Sequence, residues 1–346
     1  MFFYIFDVIF LGLVSEVYIK NLIILLFIFI ISFSNTLTAS EESITHRRQL
    51  VAGKQFACAI LDKKVTCKYF RTIDGNPPFF EEKKALIIEK VPVGMNYPLS
   101  LSAGNSYVCA VYKKNAEDLD THFKCWGSAY AAKNAPTYKK NPKFLATGSF
   151  LSCAQFDGKF ECWGNLEIYK DLAKIPQQLQ DAPKAIMLGD YHGCGMDVNN
   201  TVFCWGYDAL IPKGSMQTQI PLQVVNPKIL YVNSWATCTV EQDDKINCWG
   251  SNDWSDHWSW PKIKNITDIS TFNSLPHWCV VSNKKVKCHN VAFNKFKDIE
   301  NAQEIVKTRG QLHEVTCVLY SDQTTQAQAV KCNANYLFGK NKYIKF

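Results

Sequence analysis

The sequence predicts an all-β fold assembled from seven short repeats, each closed by its own disulfide. Three observations support this. The 14 cysteines of the 346-residue chain fall into seven pairs close in sequence, turn-forming residues lie between the members of most pairs, and the pairs recur every 38 to 51 residues. Repeats of about 40 residues with three or four strands pack into a ring or a solenoid, and seven copies fit the four-to-eight-blade range of closed propellers. We therefore expect a seven-bladed β-propeller.

The spacing of the cysteines indicates how they are bonded. Within a pair the separation is nine or ten residues in five cases, and fifteen or sixteen in two. The predicted pairs are Cys58–Cys67, Cys109–Cys125, Cys153–Cys162, Cys194–Cys204, Cys238–Cys248, Cys279–Cys288 and Cys317–Cys332. A zinc site favours ligands two to four residues apart, no CxxC occurs, and a catalytic thiol couple would not need seven copies. The sequence thus predicts structural disulfides, no metal site and no cofactor.

Turn geometry supports the same pairing. Asp157-Gly158 has the residue types of a two-residue type I′ turn, which makes Phe156 face Lys159 and places Cys153 opposite Cys162. Directly opposed residues in an antiparallel pair are close enough for a disulfide. The other predicted tight turns are Asp62-Lys63, Asn283-Lys284 and the three-residue loops Val198–Asn200 and Gln242–Asp244.

Short motifs flank the cysteine pairs. A glycine lies five residues before the first cysteine in four repeats, at Gly53, Gly104, Gly148 and Gly189. We expect these glycines to occupy turns with positive φ. A Trp-Gly pair follows the second cysteine in four repeats, at Trp126-Gly127, Trp163-Gly164, Trp205-Gly206 and Trp249-Gly250. These tryptophans, and His192 beside Gly193, are predicted to be structural.

The glycine, the cysteines, the Trp-Gly pair and the proline-bearing connectors together resemble the repeat of the regulator of chromosome condensation family. The likeness covers residues 48–335 and is strongest to secreted bacterial members with two strand cysteines. It implies a wheel closed by its termini, with 342–346 or the segment near Leu50 completing a shared blade. The chain departs from the family pattern. His192 occupies the family's histidine position, whereas Phe56, Tyr107, Leu151 and Ala236 stand there in other repeats; repeats one, six and seven lack Trp-Gly, and the Gly-Gln-Leu-Gly element is absent.

The N-terminus has the features of an export signal. An unbroken apolar run, residues 22–31, follows Lys20 and precedes a stretch of small polar residues. We predict a signal peptide over 1–39 and a single propeller over 40–346, secreted, periplasmic or at the cell surface. An uncleaved anchor is the alternative, although ten apolar residues are short of the ~20 that a span needs. Residues 1–19 suit a signal poorly, and a start nearer Lys20 would give an ordinary one.

Composition and motifs narrow the function. The net charge of +7 comes from scattered lysines without an arginine-rich block, which argues against nucleic acid as a partner. The motifs G-x-S-x-G, H-E-x-x-H and G-x-G-x-x-G are absent, so the sequence predicts a protein that is not an enzyme. We expect a monomeric module that binds another protein through its rim loops. A lectin that binds a cell-surface glycan and a structural envelope protein are the alternatives.

The loops after Trp-Gly hold the candidate binding residues. The loop 251–260 reads SNDWSDHWSW, and corresponding loops carry further tyrosines. Aromatic side chains with polar tips suit protein interfaces and sugar stacking. The predicted binding residues are Trp254, His257, Trp258, Trp260, Tyr207 and Tyr130.

Overall fold

The structure is a computed structural model of the chain. It describes residues 48–70, 87–181, 183–207, 218–250, 261–271, 278–289, 296–309, 313–336 and 342–346. The chain divides into two compact units, Met1–Thr45 and His46–Phe346, and all described residues belong to the second. The predicted signal segment and the loop 251–260 lie outside the described residues. Within the described ranges no helix is long and apolar enough to cross a membrane.

The described residues form seven antiparallel sheets, called blades 1 to 7 in chain order. Each is built from consecutive strands: an inner, a middle and an outer strand, with a fourth in blade 7. The strands are β1 (Leu50–Gly53), β2 (Phe56–Leu61) and β3 (Lys64–Tyr69); β4 (Tyr97–Ala103), β5 (Tyr107–Lys113) and β6 (His122–Gly127); β7 (Lys143–Thr147), β8 (Leu151–Phe156) and β9 (Lys159–Gly164); β10 (Pro183–Leu188), β11 (His192–Asp197) and β12 (Val202–Gly206); β13 (Pro227–Val232), β14 (Thr237–Glu241) and β15 (Ile246–Trp249); β16 (Ile266–Thr271), β17 (Trp278–Ser282) and β18 (Lys285–His289); and β19 (Ala302–Arg309), β20 (His313–Ser321), β21 (Gln328–Tyr336) and β22 (Lys342–Lys345). A helix, α1 (Tyr130–Lys133), and a 3-10 turn, Gln177–Leu179, lie in connecting loops.

The blades close into a ring. Each inner strand contacts the inner strands of the preceding and following blades, and the inner strand of blade 7, β19, contacts that of blade 1, β1. The fold class is therefore confirmed as a seven-bladed β-propeller.

The disulfide prediction is confirmed in every repeat. All seven predicted pairs are bonded, with Cα–Cα distances of 4.0 to 4.1 Å, and each bond joins directly opposed residues of the middle and outer strands. The turn that sets this register in blade 3 has φ of 49° at Asp157 and 79° at Gly158, as a type I′ turn requires. The chain-entropy model assigns ~2–3 kcal/mol to each loop of about ten residues.

The prediction for the glycines before the first cysteine is wrong. Gly53, Gly104, Gly148 and Gly189, which we call the glycine ring, do not have positive φ. They are instead needed because the blades approach closely: a Cβ on Gly148 would lie 2.5 Å from the carbonyl oxygen of Gly189 in the next blade. Positive φ is found in the Trp-Gly pairs, with 135° at Gly127.

Three tryptophans of the Trp-Gly pairs pack between blades, in agreement with the predicted structural role: Trp126, Trp163 and Trp205. Trp126, on the outer strand of blade 2, is buried in a cluster that includes Phe56 of blade 1. Its Nε1 donates to the carbonyl oxygen of Ile88, 3.0 Å away. Trp205 of blade 4 packs in the same way against blade 3 and donates to the carbonyl oxygen of Leu172 at 2.8 Å.

Buried polar side chains also join neighbouring blades. The Tyr107 hydroxyl of blade 2 contacts the Ser152 hydroxyl of blade 3 at 2.7 Å, and burial raises the pKa of Tyr107 above its ordinary value. His192 of blade 4 is fully buried, with Nε2 2.8 Å from the Thr237 hydroxyl of blade 5. The predicted structural role of His192 is thus confirmed.

A partly buried ionic cluster joins the first and last blades. Nη2 of Arg48, just before β1, donates to an Asp268 carboxylate oxygen of blade 6 at 2.6 Å, and Nε lies 3.5 Å from Glu304 of blade 7. Glu304 also accepts from the backbone amides of Gln49 and Leu50. Burial raises the pKa of both carboxyls, and the Arg48 charge partly offsets that effect.

The shared blade implied by the family resemblance is not found. The segment near Leu50 forms the inner strand of blade 1, and β22 adds to the outer edge of blade 7 by pairing with β21. The ring closes through side chains: the cluster that joins blades 7 and 1 includes Leu50, Val306 and Val315, with Phe346 packed against it.

Deleting residues 342–346 is expected to lower the free energy of unfolding by about 1–2 kcal/mol. Each kcal/mol corresponds to ~2–4 °C in melting temperature. The deletion removes the pairing of β22 with β21 and the Phe346 ring from the cluster between blades 7 and 1. Thermal melts of the oxidised protein measure the effect. Phe346→Ser alone separates the packing from the strand pairing, and an unchanged melting temperature for the deletion would contradict the prediction.

Candidate binding surface and central funnel

The two edges of the blades form two different rims of the ring. At one edge of blade 2, Tyr107 at the start of the middle strand pairs with Gly127 at the end of the outer strand. The inner strand ends at the same edge, at Ala103. We call this side the Trp-Gly rim. The hairpins between middle and outer strands lie on the opposite side, the hairpin rim.

A row of aromatic rings crosses blades 3 to 5 on the Trp-Gly rim. Phe150 stacks on Tyr169 with ring centroids 5.0 Å apart, Tyr169 lies 6.2 Å from Tyr191, and Tyr191 lies 5.2 Å from Trp235. We call these four residues the aromatic crescent. Tyr169 is buried, Tyr191 and Trp235 are half-buried, and Phe150 is 43% exposed. The crescent is therefore a row of packed rings that is most exposed at Phe150.

The repeat explains where the crescent comes from. Phe150, Tyr191 and Trp235 occupy the same position, two residues after Gly148, Gly189 and Asn233 respectively. The residue between is polar and lines the centre of the ring: Ser149, Asp190 or Ser234. Sequence reasoning missed this site, although the recurrence of an aromatic residue at one repeat position was a visible signal.

Exposed aliphatic residues extend the crescent outward. The loop after Trp163-Gly164 carries Leu166, 43% exposed, and Ile168, 62% exposed. The amide of Asn165 donates to the carbonyl oxygen of Phe150, which fixes this loop beside the crescent. Blade 3 therefore presents an apolar patch on the Trp-Gly rim.

The structure describes two of the six predicted binding residues. The Tyr207 hydroxyl donates to the carbonyl oxygen of Ile168 at 2.8 Å and its amide donates to Tyr191, so it ties blade 4 to the blade 3 loop. Tyr130 begins α1 and is 62% exposed, while Ala131 packs in the cluster that contains Trp163. The other four, Trp254, His257, Trp258 and Trp260, lie outside the described residues.

A funnel of about 490 Å³ occupies the centre of the ring where the inner strands end. Backbone of the glycine ring lines it, together with polar side chains such as Asn105, Thr147 and Asn233. Asn233 is held in place, because its Nδ2 donates to the Thr271 hydroxyl and its Oδ1 accepts from the amide of Trp235. The funnel is thus polar, and Trp235 borders both it and the crescent.

The funnel also carries charged groups. Asp190 of blade 4 accepts hydrogen bonds from the Ser149 and Ser234 hydroxyls of the two adjacent blades. Burial raises the pKa of the Asp190 carboxyl above its ordinary value, and the two hydroxyls oppose that effect. Lys307 of blade 7 and Lys54 of blade 1 also line the funnel. Among the residues that the structure describes, no group of three or more His, Cys, Asp or Glu side chains could hold a metal ion.

Comparison with known proteins shows the fold. No protein-family model matches the chain. The structure is similar to the CRINKLY WD40 ectodomain of the Arabidopsis thaliana receptor kinase ACR4, at a TM-score of 0.52 and 23% identity over 73% of this chain and 82% of that one. It is also similar to the ectodomain of the Physcomitrella patens receptor kinase CR4, at 0.51 and 17% identity over 83% and 72%. Prp20p from Saccharomyces cerevisiae is more distantly similar, at a TM-score of 0.40 and 11% identity over 82% of this chain and 71% of that one. The class defined by these findings is the β-propeller.

Proposed function

We propose that this protein is an exported, non-catalytic binding module of the regulator of chromosome condensation type, which recognises another protein through its Trp-Gly rim. The observation that carries the proposal is the aromatic crescent with the adjoining exposed side chains of Leu166 and Ile168. Tyrosine, tryptophan and phenylalanine are enriched in the cores of protein interfaces, and exposed apolar patches commonly mark such sites.

Rigidity favours the same surface. The crescent rings contact one another across three blades, and the Tyr207 hydroxyl and Asn165 amide fix the loops beside them. A preordered surface loses little side-chain freedom on association, which improves affinity for a given buried area. The partner expected is a protein with an apolar or aromatic patch of its own.

Export is supported by the disulfides and by the N-terminal apolar run. Seven structural disulfides suit an oxidising compartment, since cytosolic thiols are kept reduced. The propellers that the chain resembles are parts of receptor-kinase ectodomains. These observations support a mature chain of residues 40–346 that is located in the periplasm, at the cell surface or outside the cell.

The test is a matched pair of surface variants. Ile168 on the Trp-Gly rim is 62% exposed and Val198 on the hairpin rim is 63% exposed, so Ile168→Glu and Val198→Glu add the same charge at equal exposure. The oxidised protein is used to capture a partner from the envelope and extracellular proteins of its own cells. Ile168→Glu is expected to weaken the captured complex at least about tenfold, and Val198→Glu less than about twofold.

Two outcomes would overturn the proposal. Equal weakening by both variants, or weakening by Val198→Glu alone, would move binding away from the Trp-Gly rim. A captured ligand that survives protease digestion and binds on a glycan array would instead support the lectin alternative, for which Trp258→Ala is the matching variant. Melting temperatures of both glutamate variants establish that the fold is intact.

A further inference from the structure

The hairpin rim of blades 4 and 5 carries exposed aliphatic side chains. Leu222 is 97% exposed, Val225 76% and Val198 63%. Val198 lies in the hairpin between β11 and β12, and the other two lie in the connector that leads into β13. Val224 packs against the cluster of blades 4 and 5 and so anchors this connector. Exposed apolar side chains that are grouped on one surface commonly mark an interaction site.

Hydrogen bonds connect these loops to one another and to blade 6. Asn226 accepts from Nδ2 of Asn200 in the blade 4 hairpin at 2.8 Å, and its amide donates to the carboxylate at the end of β14. In the next blade, Asn265 donates from its amide to Asp244 and from Nδ2 to Asn283 at 2.7 Å. The connected loops form one surface, which we call the hairpin arc: residues 197–201, 221–226, 241–246, 261–265 and 282–286.

The charge that the hairpin arc presents to solvent is positive. The structure describes every residue of the arc, and Asp243 is its one exposed acid. Glu241 is buried, and Asp197 is half-buried with Oδ1 accepting from backbone amides of its own hairpin. Asp244 is half-buried and lies 2.5 Å from Nζ of Lys228. The exposed cations of the arc are Lys245, Lys262, Lys264, Lys284 and Lys285.

The lysines of blade 6 are available to an anionic partner. None of Lys262, Lys264, Lys284 and Lys285 forms an ion pair with a described residue, although Nζ of Lys264 donates to the carbonyl oxygen of Asp243 at 2.8 Å. Cations that are grouped without counter-charges produce a positive potential, which attracts an anionic surface. The aliphatic side chains of blades 4 and 5 adjoin this potential on the same rim.

The composition of the hairpin arc indicates the class of partner. The arc contains no aromatic residue and no arginine, whereas protein interfaces are enriched in both and depleted in lysine. Sugar stacking also uses aromatic side chains. Aliphatic side chains enter the boundary between lipid head groups and acyl chains, and each lysine near an anionic bilayer contributes to its attraction. The combination of exposed aliphatic residues with lysines therefore favours a lipid surface.

We propose that the hairpin arc docks the propeller on an anionic lipid bilayer, with Leu222, Val225 and Val198 in the head-group region and the exposed lysines at lipid phosphates. The Trp-Gly rim, on the opposite side of the ring, then faces away from the bilayer. This inference does not depend on the proposed protein-binding function. Ile168→Glu, which tests that function, is expected to leave bilayer binding unchanged, whereas Val198→Glu weakens it, so failure of either proposal leaves the other standing.

Co-sedimentation of the oxidised protein with lipid vesicles measures the binding. The vesicles consist of phosphatidylcholine alone or of phosphatidylcholine with about 30% phosphatidylglycerol. The anionic vesicles are expected to bind the protein at least about tenfold more tightly than the neutral ones, because five exposed lysines face them. Raising the salt from about 0.1 M to about 0.5 M is expected to weaken this binding at least about fivefold, since salt screens exposed charges.

A pair of lysine variants locates the charged part of the site. Lys284→Gln combined with Lys285→Gln is expected to weaken binding to anionic vesicles at least about tenfold. Lys63→Gln combined with Lys64→Gln is the matched control, because these lysines occupy the same two positions in the hairpin turn of blade 1. The two turns also have nearly the same φ angles, so the control is expected to weaken binding less than about twofold.

A pair of leucine variants tests the apolar part. Leu222→Ser is expected to weaken binding to anionic vesicles at least about fivefold, because it removes an aliphatic side chain from the lipid. Leu119→Ser is the matched control, since Leu119 is 95% exposed in the hairpin loop of blade 2, outside the arc. Its effect is expected to stay below about twofold. Thermal melts establish that all variants are folded.

Four results would overturn the proposal. Equal binding to neutral and anionic vesicles would remove the lysines from the argument, and equal weakening by the matched controls would move the site away from the arc. Absence of saturation with anionic vesicles up to about 1 mM accessible lipid would exclude a bilayer site of measurable affinity. Tight binding to soluble dextran sulfate, together with vesicle binding that Leu222→Ser leaves unchanged, would identify an acidic polymer as the partner.

Discussion

Replacing Gly148 with alanine is expected to destabilise the propeller by about 3 kcal/mol or more, or to prevent folding. The added Cβ would lie 2.5 Å from the carbonyl oxygen of Gly189 and 3.2 Å from Cβ of Leu188. The Gly189 carbonyl belongs to the backbone of blade 4. The amide of Gly189 donates to the carbonyl oxygen of His192, so this backbone is held in place. Relief of the clash would therefore require two blades to move apart.

Gly158→Ala is the control for this substitution. Gly158 has φ of 79° in the hairpin turn of blade 3, and a Cβ there meets no atom within 4 Å. Its cost is conformational alone, ~1–2 kcal/mol. Thermal and urea unfolding of the oxidised proteins measures both changes. If Gly148→Ala were no less stable than Gly158→Ala, close approach of the blades would not explain the glycine ring.

The disulfide framework could be predicted because it depends on local geometry. The positive φ angles of Asp157 and Gly158 fix the register of one hairpin, and the register places Cys153 beside Cys162 without reference to any other blade. The same arithmetic applies to five of the seven pairs, and the other two pairs span longer loops. Each step involves residues no more than sixteen positions apart.

The role of the glycine ring could not be predicted in the same way. The motif before each first cysteine suggests a turn, and positive φ is the common reason for glycine in a turn. The deciding contact is with the carbonyl of the next repeat, 41 positions on in the case of Gly148 and Gly189. Only the packing of whole blades brings these backbones together.

The funnel and the crescent also depend on closure of the ring. Lys54 and Asp190 share one cavity although 136 residues separate them, and the position of each on the wall follows from the number of blades. The shared blade was wrongly predicted for a related reason. Side-chain packing of Leu50 with Val306, and the Arg48 cluster, join the last blade to the first without a shared strand.

The contacts between blades follow one rule that can be stated in sequence positions. The residue two before the first cysteine of a blade packs near the residue one before the first cysteine of the next blade. The described pairs are Phe56 with Val108, Tyr107 with Ser152, His192 with Thr237, and Ala236 with Trp278. Where the next blade supplies a hydroxyl, from Ser152 or Thr237, the residue that faces it is Tyr107 or His192, which carry a polar group on an aromatic ring. Where the next blade supplies an apolar residue, the facing residue is apolar.

This rule predicts that His192→Phe is destabilising alone, by about 2 kcal/mol, and much less so when combined with Thr237→Val. Both native side chains are fully buried. The single variant removes the His192 ring nitrogen that bonds to the Thr237 hydroxyl. The hydroxyl then keeps only Sγ of Cys194, a weak acceptor 3.3 Å away. The double variant recreates the apolar pair Phe56 and Val108 of blade 1.

A double-mutant cycle, measured by urea unfolding of the oxidised protein, gives the coupling free energy between the two substitutions. The expected coupling between His192→Phe and Thr237→Val is about 1 kcal/mol or more, because removing both polar partners leaves no buried group unsatisfied. His192→Phe combined with Ser152→Ala is the control, since Ser152 bonds to Tyr107 and the two effects should add. Additivity in the first cycle would show that the hydrogen bond between blades 4 and 5 does not contribute to the choice of residues at these positions.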